Sequence, residues 1–259
     1  IQEVIHTTAI GKINAIAKGL SGHHFDLITI TDADVLFTKG WQKAVYEIYE
    51  TFPKAGMVGT TPQPPSFRTF NEMLILSNLF NKKLRFVKTD QKLKDDILKF
   101  VHSLDWKTVK EKVHLEKVFA IHKNHVKAIS GIGHFTATYK KELLNDLRNY
   151  TAKEKISSDE DRLNLDEPSF KEGHWRLCTF KNYTYHLGNT KEGWMEKYFY
   201  EIRHNHNPIY LNPPQLKPYK SQLPVYLIRG LVRRFFYRSF LFKRLLIKKG
   251  LTKEEAKIY

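Results

Sequence analysis

Cysteine occurs only once in this chain of 259 residues, at Cys178. One cysteine excludes a disulfide-stapled scaffold and a cysteine-rich zinc site, and it is typical of a reducing compartment. The sequence lacks any run of 18 uncharged apolar residues, so it predicts no membrane-spanning helix. With 13 glycines, 10 prolines and 41% hydrophobic residues, the composition excludes collagen-like and disordered chains. We expect one large folded domain, alone or with an appendage.

Acidic residues are scarce relative to basic ones, and the net charge of +16 is unevenly distributed. Residues 224–249 contain eight Lys and Arg and no acidic residue, so this basic tail carries half of the net charge. At helical spacing its apolar face comprises Ile228, Leu231, Phe235, Phe242 and Leu246. This pattern is typical of a helix lying on an anionic membrane surface. The alternative is a helix that packs on its own domain or on a second copy of the chain in a homo-oligomer.

Helical and strand patterns alternate along the first 60 residues. Residues 10–20 and 41–52 have helical spacing, whereas 25–30 and 55–60 are short apolar runs typical of buried strands. This alternation predicts an α/β fold with a mainly parallel sheet flanked by helices. We expect a domain over residues 1–206 with a helical insertion at about 69–112. A proline-rich linker and the basic tail would occupy residues 207–259.

Asp32 and Asp34 directly follow the first predicted strand. In α/β sheets, ligands bind at the carboxyl ends of strands. Two carboxylates at positions i and i+2 can together hold a hydroxyl-rich ligand and a hard cation. The alternative is structural, with Asp34 capping the helix that follows.

A second acidic cluster comprises Asp159, Glu160 and Asp161. One of these carboxylates is a candidate general base that would take a proton from an acceptor hydroxyl group. We favour Asp161 and keep Glu160 open. The alternative is a solvated acidic turn or helix start.

Four segments resemble, in the same order, the landmarks of family 2-like glycosyltransferases with the GT-A fold. They are Gly11 to Trp41 with its two aspartates, the glycine-rich Ile129 to Phe135, the acidic cluster followed by Trp175 to Leu177, and Tyr185 to Asn189 around His186. The resemblance covers residues 9–190. It implies a GT-A fold. Four landmarks in the same order identify the family more specifically than any one of them would.

The resemblance implies metal-dependent, inverting transfer of a sugar from a nucleotide-sugar, above all a UDP-sugar. The acceptor would be a glycan or lipid-linked glycan in surface or envelope polysaccharide synthesis. The implied roles are donor binding by Lys12, Asp32 and Asp34, Mn²⁺ or Mg²⁺ binding by Asp34 and His186, proton removal by Asp161 or Glu160, and acceptor binding by Gly131, Gly133, His134 and Trp194. Neutral imidazole suits such a cation. The alternative for His186 is a surface or half-buried histidine without a ligand.

Members of that family usually begin with a nucleotide-binding βαβ region, which this sequence does not contain. We expect an N-terminal part to be missing, since the chain starts abruptly at Ile1. A catalytically inactive relative that acts as an assembly partner is the main alternative. A nucleic-acid-binding protein is a weaker one, because no recognised nucleic-acid-binding motif is present. We expect a cytoplasmic enzyme on the inner membrane face whose site works without the basic tail.

Overall fold

The computed structural model describes residues 4–5, 11–103, 112–149, 158–188, 191–204, 211–219, 221 and 224–259. Ile1, Asn189 and the first residues of the linker, at 207–210, therefore lie outside the described residues. The strands are β1 (Leu27–Thr31), β2 (Val35–Phe37), β3 (Ala55–Gly59), β4 (Leu84–Lys88), β5 (Lys117–Lys123), β6 (Val126–Ser130), β7 (Thr136–Lys140), β8 (Trp175–Thr179) and β9 (Thr184–His186).

Helices of three kinds accompany the strands. The α-helices are α1 (Lys12–Leu20), α2 (Trp41–Thr51), α3 (Glu72–Ser77), α4 (Gln91–Ser103), α5 (Lys112–Glu116), α6 (Ser158–Asp161), α7 (Glu167–Lys171), α8 (Gly193–His204), α9 (Val225–Leu231), α10 (Phe240–Lys248) and α11 (Lys253–Lys257). Two 3₁₀-helices span Pro64–Ser66 and Lys141–Asn149, and two π-helical turns span Arg162–Asp166 and Val232–Phe236. The α/β fold class is as expected.

The main sheet has seven strands in the order β1-β7-β3-β8-β6-β5-β4. Only the β3–β8 pairing is parallel among the pairings that the described residues form in it, and the other five are antiparallel. The expectation of a mainly parallel sheet is therefore wrong. Strand direction was not readable from the apolar runs, because strands covered on both faces are apolar throughout whichever way they run.

Helices cover both faces of this sheet, and each face has its own core. Consecutive side chains of β5 alternate between them, since Phe119 and Ile121 belong to one cluster and Val118 and Ala120 to the other. The first core includes residues of α2, α3 and α10, and the second includes residues of α1 and α4. Alternation of side chains across a strand therefore buries the central residues of β5, Val118 to Ile121, in the two covering layers.

Four strands, β1, β3, β5 and β8, nevertheless run in the same direction, and the site lies at the ends of three of them. Strand β7 is antiparallel to both β1 and β3, and β8 is parallel to β3. The carboxyl ends of β1, β3 and β8 therefore meet at one edge of the sheet. Asp32 and Asp34 follow β1 there, and β9 follows β8 and ends at His186.

The region expected to be a helical insertion is only partly helical. Helices α3 and α4 lie in it, but strand β4 separates them and is the outermost strand of the sheet on one side. Leu84 and Phe86 are buried and Arg85 is exposed, which is the two-residue period of a strand. The β5–β6 hairpin was also missed. Its turn contains Asn124 with φ of 54°, a backbone conformation that asparagine adopts more readily than most residues.

The basic tail packs in part on its own domain, which is one of the alternatives that the sequence left open. Phe242 and Leu246 are fully buried in the first core. Leu231 and Phe235, expected on the same apolar face, are instead exposed. The tail thus supplies core side chains. That the site works without the tail stays a prediction. In the part of the chain that the structure describes, no helix is both long and apolar enough to cross a membrane.

Candidate functional site

A short β-ribbon brings Asp34 to His186. Strand β2, which starts after Asp34, pairs antiparallel with β9, and Val35 lies opposite His186. The backbone N–H of Leu187 donates to the Asp34 carbonyl oxygen at 2.8 Å, which extends the pairing by one residue. As a result, Asp34 Oδ2 lies 3.3 Å from His186 Nε2. The Asp34 side chain is 40% exposed and that of His186 is 14% exposed, so the pair is open to a ligand on the carboxylate side.

Asp34 does not cap the helix that follows it. Helix α2 begins at Trp41, and its N-cap residue is Gly40, which has no side chain to accept a hydrogen bond. Gly40 has φ of 89°, in the left-handed region that favours glycine. The structural alternative for Asp34 is therefore wrong, and its carboxylate is available for another role.

Lys12 joins two carboxylates that come from distant parts of the chain. Its Nζ lies 2.5 Å from Asp32 Oδ1 and 3.6 Å from Asp161 Oδ2. Lys12 is the first residue of α1, whereas Asp32 follows β1 and Asp161 ends α6. All three side chains are partly buried, with exposures between 18% and 31%. The predicted donor-binding residues Lys12 and Asp32 and the predicted base Asp161 thus form one charged cluster.

His134 extends this cluster to a second buried carboxylate. His134 Nε2 lies 3.4 Å from Asp161 Oδ2, and its Nδ1 lies 2.9 Å from Asp166 Oδ2. Asp161 and Asp166 are five positions apart, and a regular α-helix would turn them to different sides. The π-helical turn Arg162–Asp166 has i to i+5 spacing, which places both carboxylates beside one imidazole. Single-turn π-helices often occur at functional sites.

Arg176 holds Asp166 in place from inside the protein. Its guanidinium Nη2 lies 2.6 Å from Asp166 Oδ1 and also donates to the Ile132 carbonyl oxygen, while Nη1 donates to that of Thr69. Arg176 is 1% exposed. Burial alone would raise the pKa of Asp166, but the Arg176 charge and the His134 hydrogen bond outweigh it and lower that pKa. Asp166 is therefore a fixed negative charge behind His134.

The glycine-rich segment has a packing explanation in this structure. Gly131 has φ of 126°, and a Cβ there would lie 2.3 Å from the Gln63 carbonyl oxygen. A Cβ at Gly133 would lie 2.6 Å from Gln63 Nε2. Both glycines allow the loop after β3 to approach closely. Their predicted contact with an acceptor stays a prediction.

Trp194 belongs to an aromatic cluster with Tyr185 and Tyr198. Its ring centroid lies 5.2 Å from that of Tyr185 and 5.9 Å from that of Tyr198. Tyr185 immediately precedes His186 in β9, and its hydroxyl donates to Asp96 Oδ1 at 2.8 Å. Lys99 Nζ lies 5.2 Å from the Trp194 ring centroid. The helix that carries Trp194 is therefore tied to the end of β9.

Glu160 lies next to the cluster, but its described contacts do not choose between it and Asp161. Its side chain is half-buried, and its main-chain carbonyl accepts a hydrogen bond from Asn164 Nδ2 at 2.9 Å. Asp161 contacts both Lys12 and His134, but this does not exclude its neighbour as the base. Glu160 therefore stays open as the alternative base.

Sequence reasoning missed Asp166 and Arg176 as members of the site. In the sequence, Asp166 is marked only by its position five residues after Asp161. That spacing brings two side chains together only in a π-helical turn, which the sequence did not predict. Arg176 lies in an apolar strand, where an unpaired cation would be costly to bury. A buried arginine in such a strand requires a carboxylate partner. The sequence could have indicated that such a partner exists, but not which acidic residue it is.

Asp34 and His186 could supply two of the ligands of a divalent cation, and groups other than these two side chains would have to supply the rest. The described residues contain no group of three or more His, Cys, Asp or Glu that could hold an ion. Two ligands of one ion with bonds of about 2.0–2.2 Å lie roughly 3 Å apart, close to the observed separation of 3.3 Å. Carboxylate with imidazole suits Mn²⁺, and oxygen atoms of a bound diphosphate would complete its coordination.

Comparison with known proteins identifies no relative, since no family model, curated protein or solved structure matches the chain.

Proposed function

We propose that this protein is a metal-dependent glycosyltransferase of the GT-A type that transfers a sugar from a nucleotide-sugar, with inversion, to a glycan or lipid-linked glycan. The observation that carries the proposal is the 3.3 Å contact between Asp34 and His186. It lies at the sheet edge where β1, β3 and β8 end, which is where α/β proteins bind ligands. A general-base candidate, Asp161, is linked to the same Asp32–Asp34 turn through Lys12.

The donor side of the site would use Asp32, Asp34, His186 and Lys12. A bound Mn²⁺ or Mg²⁺ would neutralise a diphosphate and stabilise it as a leaving group. Asp34 and His186 would hold that ion, and Asp32 would accept hydrogen bonds from ribose hydroxyl groups. Lys12 orients Asp32 through the 2.5 Å contact, and its charge would also attract the diphosphate.

The acceptor side would use Asp161 as the general base, with Glu160 as the alternative. Inverting transfer needs a carboxylate that takes the proton of the attacking hydroxyl group while the nucleotide leaves on the opposite face. His134 fixes the position of Asp161 because the same imidazole is anchored by Asp166 on its other nitrogen. Trp194 is half-buried and packs on the buried Tyr185, and its ring would contact the apolar face of an acceptor sugar.

A screen of nucleotide-sugars tests this function directly. Each donor is added with and without Mn²⁺, and the melting temperature of the protein is measured, since a ligand that binds only the folded state raises it. We expect at least one donor, foremost a UDP-sugar, to stabilise the protein only when Mn²⁺ is present. Asp34→Ala should lose that shift, whereas Asp146→Asn, which removes an exposed carboxylate elsewhere, should keep it.

The same screen separates the enzyme from its main alternative. An inactive GT-A-like assembly partner could still bind donors, so the donor that stabilises the protein is next tested for release of the nucleoside diphosphate. Release that depends on Asp161 supports transfer. Binding without release of the diphosphate, with any acceptor or with water, would favour the binding partner.

A further inference from the structure

The basic tail leaves a row of large apolar side chains in solvent. Among the described residues of this segment, Leu227, Leu231, Phe235, Phe240 and Leu241 are between 53% and 69% exposed. We call these five residues, together with Arg234, Arg238, Lys243, Arg244 and Lys248, the tail surface. Scattered exposed apolar residues are ordinary, but a concentration of this kind in one segment indicates a binding surface.

The first three apolar residues lie along one side of a helix. Leu227, Leu231 and Phe235 are spaced by four positions, so they follow one another along the helix that α9 and its π-helical turn form. Val225 and Val232, on another side, are each 6% exposed, and Val225 packs into the first core. The exposed stripe is therefore not the face that holds the tail on the protein.

The cations of the tail also fall into two groups, one that attaches the tail to the domain and one that does not. Arg229 Nη1 lies 2.8 Å from Glu167 Oε1, and Arg233 Nε lies 2.6 Å from the buried Glu72 Oε1. These two arginines are used to attach the tail to α7 and α3. In the part of the chain that the structure describes, none of the five cations of the tail surface forms an ion pair. Residues 224–249 contain no acidic residue that could neutralise them.

Two of these cations lie over exposed aromatic rings. The Arg234 guanidinium carbon is 5.7 Å from the centroid of Phe235, and that of Arg244 is 5.1 Å from the centroid of Phe240. Each pair presents an apolar ring and a cation together at the surface. A lipid interface accommodates such pairs, because rings and alkyl chains enter the headgroup region while guanidinium groups contact lipid phosphates.

We propose that the tail surface docks on an anionic lipid bilayer. Its cations complement the charge of the bilayer, and its leucines and phenylalanines give it an apolar stripe that a nucleic acid backbone would not use. The inference is independent of the transfer reaction, although an enzyme docked in this way would reach a lipid-linked acceptor. It also differs from the sequence expectation, because Phe242 and Leu246 are replaced by Leu227, Phe240 and Leu241 as lipid-facing side chains.

Flotation with vesicles tests the docking. The full chain is mixed with vesicles of phosphatidylcholine alone or with about one third phosphatidylglycerol. We expect binding to the anionic vesicles only, with a loss of binding at high salt. Leu231→Ser with Phe235→Ser should weaken binding by about tenfold or more. Arg234→Gln with Arg238→Gln should weaken it by about fivefold for each charge removed.

A matched control removes two exposed cations elsewhere, as Lys18→Gln with Lys39→Gln. It should retain most of the binding. All replaced side chains are exposed, so unchanged melting temperatures should show that each variant is folded. Equal binding by wild-type protein and the Leu231/Phe235 variant would overturn the proposal. So would tighter binding to single-stranded RNA than to the anionic vesicles, or a change from dimer to monomer in the Leu231/Phe235 variant.

Discussion

Asp34 and His186 are 152 positions apart in the chain, yet their side chains lie 3.3 Å from each other. The contact depends on a β-ribbon of only three residue pairs, β2 with β9. Beside it, Lys12 draws Asp32 and Asp161 together. The chain thus places a candidate cation site and a candidate general base at one edge of its sheet, and this arrangement is what the proposed transfer requires.

The first prediction concerns the base. Asp161→Asn keeps the shape of the side chain and removes its basicity, so transfer should fall by about 10²–10⁴-fold while the donor still binds. Rates of diphosphate release and donor affinity are measured for this variant and for Glu160→Gln. If only Glu160→Gln has the large effect, the base is Glu160. If neither variant slows release, the inverting mechanism with a carboxylate base is wrong.

The second prediction concerns the buried ion pair of Arg176 with Asp166. Arg176→Met leaves the buried Asp166 carboxylate without its guanidinium partner, so the free energy of unfolding should fall by about 3–5 kcal/mol. Chemical denaturation measures this loss. The double variant Arg176→Met with Asp166→Asn, which removes both charges, should recover part of it. A single variant as stable as the wild type would mean that the pair does not support the site.

The third prediction separates the buried and exposed sides of the tail. Phe242 is 0% exposed and Phe240 is 63% exposed, and both lie in α10. Phe242→Ala should lower the free energy of unfolding by about 3–5 kcal/mol, because it leaves a cavity in the core. Phe240→Ala should change it by less than about 0.5 kcal/mol. Equal effects in denaturant titrations would show that the tail does not pack as described.

The fourth prediction concerns stability at mildly acidic pH. Burial, together with the nearby Lys140 charge, lowers the pKa of His174 to about 4 from its ordinary value of 6.5. Between these two pH values His174 is protonated in the unfolded chain but neutral in the folded protein. Its contribution to the free energy of unfolding is therefore present above pH 6.5 and is lost as the pH falls toward 4. The loss attributable to this group amounts to about 3 kcal/mol at most. His174→Asn should show a flatter profile of unfolding free energy against pH, and an unchanged profile would contradict the assignment.

The sequence predicted some parts of this structure well, because local patterns determined them. Helices over Lys12–Leu20 and Trp41–Thr51 and a strand over Leu27–Thr31 follow the expected periodicity closely. The placement of Asp32 and Asp34 just after that strand was also correct. Strand direction was not predictable, because β7 lies between β1 and β3 through pairings that no local pattern encodes.

The candidate site was predictable in its residue types but not in its connections. The proximity of Asp34 and His186 was expected from the resemblance, and the β2–β9 ribbon that produces it was not. The link from Asp161 through His134 to Asp166 depends on a π-helical turn, whose spacing differs from the helical pattern that sequence reasoning assumes. The tail was ambiguous because the same helix buries one side and exposes another, and only tertiary contacts decide which.

The affinity for Mn²⁺ in the presence of UDP tests the central claim most directly. Electron paramagnetic resonance of free Mn²⁺ gives that affinity for the wild-type protein and for Asp34→Ala, His186→Ala and the control Asp146→Asn. The account predicts one bound Mn²⁺ per chain, affinity at least about tenfold weaker in each of the two site variants, and no change in the control. Wild-type affinity in both Asp34→Ala and His186→Ala would contradict it.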